Sequence, residues 1–452
     1  MTLLNELSAE VCQRARMSRD PRFDGRFFVA VKTTGIFCRP ICPANLPKEE
    51  NVEYFSSQAL AVSAGYRPCL RCRPESAPHS WAWKGAETTF LRALTLIEQG
   101  DLDGSLETLA SRLGISDRYL RQLFQRHLGM PPKQYAQIQQ LMFAKQLLHT
   151  SQISITEVAY ASGFQSTRRF NDAFQKLFRL TPTQVRRERA ALPSRNHLSL
   201  AFRGPFDWAH MLDFYRLRAI EGMELVDEQS YQRHFVLGEG TGWFKASMAQ
   251  SHLDIEFEME RLSDLRHLVA RLRRMFDLDA DLISIEAHLE QLAPGLVRRT
   301  GIRIPGVWNA WEAGVRAVLG QQVSVKAAIG QLNLLVSTLA ASEGSTRYFP
   351  TPEQVQMSDL SFLRMPERRK ETLKRLADYV RLHPMDSPMA WLSLSGIGPW
   401  TVDYAQLRGE SRSHCFLTGD LIVKKALAKF PQLTAESVAP WGSYATFHCW
   451  SH

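Results

Sequence analysis

The chain has 452 residues, of which 44% are hydrophobic and 22% charged, and its formal net charge at pH 7 is +9. At about 100–200 residues per domain, this length predicts two to four domains, each able to bury a core of its own. The composition excludes a disordered tail protein, a collagen and a small disulfide scaffold. The first residues do not resemble a signal peptide, and no apolar run is long enough to span a bilayer. A cytoplasmic protein without membrane segments is therefore expected.

The charge is unevenly distributed along the chain. Residues 1–200 carry a balance of +10, whereas residues 201–452 carry −1. A basic front half joined to a neutral back half predicts a polyanionic partner for the front, with nucleic acid favoured. The alternative is that these charges serve only solubility.

Residues 1 to about 80 hold a strand-and-turn pattern, RFFVAVKTTGIF (26–37), and two close pairs of cysteines. Cys38 and Cys42 lie in FCRPICP, and Cys69 and Cys72 lie in RPCLRCRP, with 26 residues between the pairs. In a reducing compartment, such C-x3-C and C-x2-C pairs predict one zinc ion held by four thiolates rather than two disulfides. The other cysteines stand alone: Cys12, Cys415 and Cys449.

Residues about 85–190 are predicted to be helical and contain an internal repeat. LETLASRLGISDRYLRQLF (106–124) aligns with ITEVAYASGFQSTRRFNDAF (155–174), with Gly114 matching Gly163. An apolar helix, a glycine turn and a second helix starting at Ser or Thr form the helix-turn-helix pattern. One copy alone is equally typical of a piece of a helical bundle, but two copies in the basic half favour DNA binding.

The second helix of each copy would present its exposed face to the major groove. Arginine on that face reads guanine edges or binds phosphates. The predicted DNA-facing residues are Asp117, Arg118 and Arg121 in the first copy, and Thr167, Arg168 and Arg169 in the second.

Two resemblances to known families follow from these motifs. Residues 85–190, with SGFQSTRRFNDAFQKLFRLTPTQVRR, resemble the paired helix-turn-helix module of AraC-type regulators. Residues 1–80, with VAVKTTGIFCRPICPANLPKEENVEYF and AGYRPCLRCRPE, resemble the N-terminal domain of Ada. The latter implies a zinc-bound thiolate that removes a methyl group from an alkylated DNA phosphotriester. By this likeness Cys38 is the methyl acceptor, and Cys42, Cys69 and Cys72 are the other ligands.

The chemistry of four thiolates on one zinc ion supports this reading. The site keeps a net negative charge, so its sulfurs are deprotonated and electron-rich enough to attack a methyl carbon. Methylation removes one negative charge and should tighten DNA binding, which makes a switch. The alternative is a purely structural zinc site. Four arginines are candidates for holding phosphates: Arg39, Arg67, Arg71 and Arg73.

The back half begins after a polar, proline-containing linker, ALPSRN (191–196). Residues about 195–285 mix strand-like pieces, ELVDEQSYQRHFVLG and HLDIEFEM, with two amphipathic helices. Residues about 290–452 are predicted to be mostly helical, interrupted by Pro and Gly.

The densest motif of the back half is an L-x-G-I-G-x-x-T hairpin between two helices, formed by Leu394, Gly396, Ile397, Gly398 and Thr401. Its glycines let backbone amides approach a phosphate, and the next helix adds its positive end. Such hairpins commonly bind a monovalent cation through carbonyls, and this possibility stays open here. Asp420 follows in the run TGD, directly before an apolar helix. Asp420 is therefore either an ordinary N-cap or a catalytic carboxylate.

Residues 195–452 resemble the AlkA type of 3-methyladenine DNA glycosylase through PFDWAHMLDFYRLRAIEGME, GVRAVLGQQVSVKAAI, GIGPWTVDYAQLRG and FLTGDLIVKK. The resemblance implies that Asp420 stabilises the sugar cation as the N-glycosidic bond breaks. It also implies that the base pocket is lined by Trp400, Tyr404 and Trp441.

Three positions depart from relatives of this fold. Gln322 stands where the AlkA type has an apolar wedge, and Leu421 stands where an aromatic is expected. Trp400 occupies the position of the Schiff-base lysine of strand-cutting relatives, which predicts a monofunctional enzyme.

The predicted architecture is multidomain, mainly α with α+β parts. It has a zinc domain (1–80), a paired helix-turn-helix domain (85–190), an α+β domain (195–285) and a helix-hairpin-helix glycosylase domain (290–452). The predicted protein is a bacterial, nucleoid-associated monomer that binds alkylated DNA, promoter DNA and RNA polymerase. The alternative is a transcription regulator whose back half is a catalytically silent DNA-binding module.

Overall fold

The structure is a computed structural model that describes residues 8–20, 23–24, 26–56, 58–69, 71–72, 74, 89–94, 96–98, 100, 102, 105–187, 196–339, 342–344, 346–384 and 386–451. Arg73 and most of the predicted linker at 191–196 lie outside these residues. The chain forms two compact units, Met1–Gln139 and Gln140–His452. Among the described helices, none is long and apolar enough to cross a membrane.

The first unit begins with a helix, α1 (Ala9–Met17), and a four-stranded sheet of order β3-β1-β2-β4. The strands are β1 (Phe28–Val31), β2 (Ile36–Cys38), β3 (Val52–Phe55) and β4 (Arg67–Pro68), with α2 (Gln58–Ser63) between the last two. β2 and β4 are parallel, and Phe37 lies opposite Pro68. Cys38, the last residue of β2, and Cys69, the residue directly after β4, are thereby brought side by side.

The predicted helical repeat is present in both copies. The first is α3 (Leu106–Arg112) and α4 (Asp117–Leu128), and the second is α6 (Ile155–Ala161) and α7 (Thr167–Phe178). Gly114 and Gly163 have φ of +68° and +85°, a backbone region that L side chains rarely adopt, so both turns require glycine. The remaining helices of this segment are α5 (Pro132–Thr150) and α8 (Pro182–Arg187).

The second unit contains a five-stranded antiparallel sheet of order β5-β9-β8-β7-β6. Its strands alternate between buried and exposed side chains, and the buried face packs against α9 (Trp208–Arg216) and α10 (Leu265–Met275). Helices of the second repeat copy share this hydrophobic core. The strands are β5 (His197–Ala201), β6 (Glu224–Val226), β7 (Ser230–Leu237), β8 (Gly240–Met248) and β9 (His252–Met259).

The rest of the second unit is helical apart from a two-stranded ribbon, β10 (Ser342–Glu343) and β11 (Thr346–Arg347). The helices are α11 (Leu282–Leu292), α12 (Ala310–Gly320), α13 (Val325–Leu339), α14 (Pro352–Met357), α15 (Glu367–Leu382), α16 (Pro399–Gly409), α17 (Leu421–Leu427) and α18 (Gly442–Trp450). Every residue of α12 from Trp311 to Leu319 is buried, which places this helix at the centre of the bundle. The predicted fold class, mainly α with α+β parts, is confirmed.

A buried ion-pair network joins α12 to the sheet. Arg233 on β7 contacts Glu224 at 2.9 Å, and Arg316 on α12 contacts Glu312 at 2.8 Å and Glu224 at 3.0 Å. All four side chains are at least 96% buried. Each buried charge has a partner, so removing one member would leave another charge buried and unpaired.

Candidate functional site

The four paired cysteines converge in the first unit. The sulfur atoms of Cys38, Cys42, Cys69 and Cys72 all lie within 4.8 Å of one another. A tetrahedral zinc ion with bonds of about 2.3 Å places its sulfurs roughly 3.8 Å apart, so this set of donors fits it. None of the seven cysteines is in a disulfide, so the two-disulfide alternative is wrong. The four cysteines bind one Zn²⁺.

The arginines around this cluster have different surroundings. Arg39 donates through Nε to Asp24 Oδ1 at 2.8 Å and makes a second contact with the same carboxylate, while its backbone N–H lies 3.4 Å from Cys72 Sγ. Asp24 is buried, so Arg39 is held in an ion pair rather than left for a phosphate. Arg67 and Arg71 are exposed. Arg73 lies outside the described residues.

The recognition helices of both repeat copies carry exposed arginines. Arg118 and Arg121 are exposed on α4, and Arg168 and Arg169 are exposed on α7. The Arg121 guanidinium forms an ion pair with the Asp117 carboxylate, one helical turn earlier, at 3.1 Å. Thr167 is half-buried at the start of α7. Of these four predicted arginines, Arg121 is ion-paired, whereas Arg118, Arg168 and Arg169 make no ion pair within the described chain.

A cavity of about 410 Å³ lies in the second unit beside α16 and α17. Trp400 and Tyr404 form one wall, with ring centroids 5.3 Å apart and planes at 27°. Phe214 and Trp450 also line it, with nearly parallel rings at 6.3 Å. An aromatic cavity of this size is suited to a flat heterocycle.

Asp420 lines this cavity, and it is also the N-cap of α17. Its Oδ1 accepts hydrogen bonds from the backbone N–H groups of Ile422 (2.9 Å) and Val423 (3.2 Å) and from Trp450 Nε1 (3.1 Å). No described residue donates to Oδ2. The two interpretations of Asp420 are therefore compatible, because capping fixes one oxygen and leaves the other for a molecule in the cavity.

Trp441 is not among the residues that line the cavity, contrary to the sequence-based assignment. It lies at the N-cap of α18, where its ring packs edge-on against His288 at 4.8 Å. Trp450, at the opposite end of α18, occupies the cavity wall instead. The two tryptophans lie at opposite ends of this helix, and Trp450 is the one that donates to Asp420 Oδ1.

Sequence reasoning also missed three cationic residues of the cavity, Arg218, Arg316 and Arg408. Arg408 Nη1 donates to the Tyr404 hydroxyl at 2.8 Å, and the Arg218 guanidinium lies 3.7 Å from the centre of the Phe214 ring. Burial lowers the pKa of Arg218 to about 10. Burial alone would raise the pKa of Tyr404, but the guanidinium groups of Arg408 and Arg218 outweigh it and the pKa is lowered. The spacing of Trp400, Tyr404 and Arg408, four residues apart on one helix face, was a usable signal.

The hairpin is connected to the loop that contains Gln322. Gln321 Nε2 donates to Gly396 O and to Thr401 Oγ1, both at 3.2 Å. Gln322 is exposed and has a φ of +58°, in the left-handed region. Thr401 is only 2% exposed, so its side chain binds Gln321 rather than DNA, contrary to prediction.

The two hairpin glycines have different roles. Gly396 has a φ of +92°, and a Cβ there would lie 2.1 Å from Thr372 Oγ1. Gly398 is the N-cap of α16, and a Cβ there would meet nothing within 4 Å. Gly396 is thus required by the fold, whereas Gly398 is half-buried and has space for a methyl group.

Three family models match this chain. They describe the metal-binding domain of Ada (residues 11–75), a helix-turn-helix domain (109–188) and the AlkA N-terminal domain (197–309). These matches follow the order of the zinc cluster, the helical repeat and the five-stranded sheet.

Curated relatives match both the halves and the whole. DNA-3-methyladenine glycosylase 2 of Escherichia coli is 33% identical over 56% of this chain and 96% of its own length. The bifunctional transcriptional activator/DNA repair enzyme Ada of E. coli is 34% identical over 38% of this chain and 47% of its own length. A probable bifunctional transcriptional activator/DNA repair enzyme AlkA of Mycobacterium tuberculosis is 34% identical over 98% of this chain and 96% of its own length. With a likeness that spans both units, the chain belongs to the family of bifunctional AlkA proteins, which join an Ada-type zinc-binding domain and a helix-turn-helix domain to an AlkA-type repair enzyme.

Proposed function

We propose that the back half is a monofunctional DNA glycosylase that hydrolyses the N-glycosidic bond of alkylated purines such as 3-methyladenine. The observation that carries this proposal is the Asp420 carboxylate, which has one oxygen free of protein donors and lines an aromatic cavity next to the hairpin. The name of the E. coli glycosylase supports the substrate class.

The reaction requires the damaged nucleotide to leave the duplex and enter the cavity. The base then lies against Trp400 and Tyr404. As the C1′–N bond breaks, its electron pair leaves with the base and positive charge develops on the sugar, where Asp420 stabilises it. Water bonds to C1′ and its proton passes to Asp420 Oδ2 and then to solvent. An N-alkylated purine is already cationic, so it departs without a general acid.

The charges that line the cavity do not favour binding of a cationic base over a neutral one. The guanidinium of Arg218 covers one face of Phe214, so this ring face is occupied. Arg408 adds a second positive charge beside Tyr404. Three arginines (Arg218, Arg316 and Arg408) and two aspartates (Asp213 and Asp420) line the cavity, so it is not an anionic trap. Preference for alkylated purines therefore arises from the weakness of their glycosidic bond.

The enzyme is proposed to leave an abasic site intact. A lyase needs an amine to form a Schiff base with the sugar. Trp400 occupies the corresponding hairpin position and lines the cavity, and no lysine is among the cavity-lining residues of the described chain.

An Asp420→Asn variant tests the glycosylase assignment. Asn is as good an N-cap as Asp, so α17 should persist, whereas stabilisation of the sugar cation is lost. We expect release of 3-methyladenine from methylated duplex to fall by about 10²–10³-fold. Asp281→Asn is the matched control, because Asp281 caps α11 in the same way and does not line the cavity. Equal rates in wild type and Asp420→Asn would instead favour the silent DNA-binding module.

The front half is proposed to repair a DNA methyl phosphotriester at Cys38. Bound zinc keeps the cysteine sulfurs deprotonated at neutral pH. The Cys38 sulfur forms a bond to the methyl carbon, the methyl–oxygen bond breaks, and the phosphotriester becomes an anionic diester. Cys42 is buried and Cys72 Sγ faces the Arg39 amide, which leaves Cys38 better placed for attack than these two. Exposed Arg67 is proposed to hold a neighbouring phosphate.

Mass spectrometry of the zinc-loaded protein tests this transfer. After incubation with an oligonucleotide that contains a methyl phosphotriester, the peptide with Cys38 should gain the mass of one methyl group in place of a proton. A Cys38→Ser protein should gain none. A methyl group on another cysteine, or on none while zinc stays bound, would contradict the assignment and favour a structural zinc site.

The paired helix-turn-helix is proposed to bind promoter DNA through Arg118, Arg121, Arg168 and Arg169, and to activate transcription through RNA polymerase. Loss of one negative charge at the thiolate site lowers repulsion from DNA and should tighten this binding. The proposed protein is a cytoplasmic, nucleoid-associated monomer with the domain limits 1–80, 85–190, 195–285 and 290–452. DNA contacts of the back half are proposed at Gln322, Gly396 and Gly398.

A further inference from the structure

A second concavity, the arginine groove, lies beside the loop that contains Gln322. Its volume is about 350 Å³, and it is lined by Gln321, Gln322, Pro366, Arg368, Arg369, Thr372 and Gly396. Gln322 and Gly396 also border the depression that reaches Asp420. A duplex that delivers a nucleotide to Asp420 therefore passes the arginine groove.

Some basic side chains of α15 are paired with carboxylates and others are not. Lys370 is paired with Glu367, Arg375 with Glu371, and Arg381 with Asp378. Within the described chain, Arg368 and Arg369 make no ion pair. Arg368 is exposed and Arg369 is half-buried, and no carboxylate lines the groove they enter. Two unneutralised guanidinium groups in one groove make an anion site.

The anion that fits this position is a DNA phosphodiester. Guanidinium groups bind phosphate oxygens through two parallel N–H donors, and they keep their charge at any physiological pH. Gly396 of the hairpin lines the same groove, so a phosphate bound by the two arginines lies beside the hairpin. Gln322 is polar and the groove that it lines carries two arginines. Both features match a DNA backbone better than an apolar partner.

We propose that Arg368 and Arg369 bind the DNA backbone next to the extruded nucleotide and hold the duplex across the loop at Gln322. This inference rests on the proposed glycosylase function. It assigns to α15 a role in substrate binding that is separate from the carboxylate chemistry at Asp420.

Base release by the full-length, zinc-loaded protein tests the proposal. Single-turnover rates on methylated duplex are measured against protein concentration at several salt concentrations, for wild type, Arg368→Gln, Arg369→Gln and the double variant. Each substitution should raise the half-saturating concentration about 3–10-fold and make its salt dependence shallower by about one phosphate contact. The rate at saturation should stay at the wild-type value, because neither arginine lines the Asp420 cavity.

Two control variants separate charge from structure. Arg381→Gln removes a cation that is paired on the same helix and should leave both quantities unchanged. Arg368→Lys with Arg369→Lys keeps the charge and should restore most of the salt dependence.

The proposal is overturned if the double variant keeps the half-saturating concentration and salt slope of wild type. It is also overturned if the loss depends on which base lies opposite the lesion, since the arginines would then read an unpaired base. Binding to a duplex with a non-cleavable abasic analogue, measured on the same variants, needs no catalysis. If wild type releases no base but the double variant still loses this binding, the glycosylase proposal fails and the arginine groove stands.

Discussion

Asp420 combines an observed structural role, the N-cap of α17, with the proposed catalytic one. Its position before an apolar helix is typical of an N-cap, and the cap exists. The cap bonds and the Trp450 indole all use Oδ1, so the remaining oxygen stays available. The cap holds the carboxylate at a fixed position in the cavity wall, which a catalytic group requires.

The two tryptophans of α18 provide a paired test of the cavity assignment. Trp450→Phe removes the N–H donor to Asp420 Oδ1 but keeps a ring beside Phe214, so we expect base release at saturating DNA to slow by about tenfold. Trp441→Phe should release bases at the wild-type rate, because Trp441 does not line the cavity. Equal losses in single-turnover assays would show that the cavity wall has been assigned to the wrong residue.

Asp277 predicts a pH dependence of stability. Its carboxyl is buried, accepts hydrogen bonds from the Tyr444 hydroxyl and the Ile304 N–H, and burial raises its pKa from 3.8 to about 7. Because the folded state keeps a proton that the unfolded chain has lost, the free energy of unfolding should fall by about 1.4 kcal/mol per unit from about pH 4 to about pH 7.

Asp277→Asn should remove most of this dependence. Its φ of +53° suits Asn, so the backbone should be retained. We expect the variant to have the wild-type melting temperature at about pH 4 and a higher one at pH 8, measured by calorimetry. Asp279→Asn, which alters an exposed carboxylate two residues away, should follow the wild-type profile. Parallel profiles for wild type and Asp277→Asn would contradict the assignment.

At the scale of elements, the hairpin and the loop at Gln322 form one assembly. Gln321 bridges the loop to Gly396 and Thr401, so two segments that are about 75 residues apart are held together by one side chain. Thr401, which the motif suggested as a DNA contact, instead receives this bridge. Motif spacing identified the right segment, but the direction of its side chains depended on α12.

The hairpin glycines should respond differently to alanine. Gly396→Ala forces a Cβ against Thr372 at a strained φ, so we expect a loss of about 1–3 kcal/mol in the free energy of unfolding. Gly398→Ala has room for its methyl group, so its stability should match wild type while its affinity for methylated duplex falls. Denaturant titration and DNA-binding measurements check the two outcomes. A stable Gly396→Ala protein would show that the hairpin adapts.

Parallel pairing of β2 and β4 explains the cysteine cluster. The register that places Phe37 opposite Pro68 also aligns Cys38 with Cys69. Cys42 follows Cys38 by four residues and Cys72 follows Cys69 by three, so all four sulfurs meet in one cluster. The spacing of the cysteines was sufficient to predict the ligand set. It was not sufficient to show that Arg39 is engaged by Asp24, which lies 15 residues before it.

At the scale of the whole molecule, zinc removal should affect only one activity. The buried residues around the cysteine cluster form two small cores, so the zinc domain depends on its metal for folding. Chelation should make residues near the cysteines sensitive to protease and abolish methyl transfer. Base release from methylated duplex should be unchanged, since every residue lining the Asp420 cavity belongs to the second unit. Loss of base release on chelation would show that the two activities are coupled.

The amino-acid sequence alone determined the features that depend on short spacing. Each helix-turn-helix copy with its glycine turn, each pair of cysteines, the hairpin and the cap at Asp420 follow from residues within a few positions of each other, where helix period, capping and turn geometry act. The strand-like pieces at 224–238 and 252–259 were recognised for the same reason.

Only the tertiary structure decided which distant side chains meet. It placed Trp450 rather than Trp441 in the cavity, added Arg218 and Arg408 to its wall, and joined Arg39 to Asp24. Such contacts depend on how elements pack, and neither period nor propensity encodes that packing. Arg218, in the turn after α9, and Trp450, at the end of α18, are 232 positions apart and line one cavity. They meet there because Phe214 of α9 stacks on Trp450 and Arg218 covers the Phe214 ring.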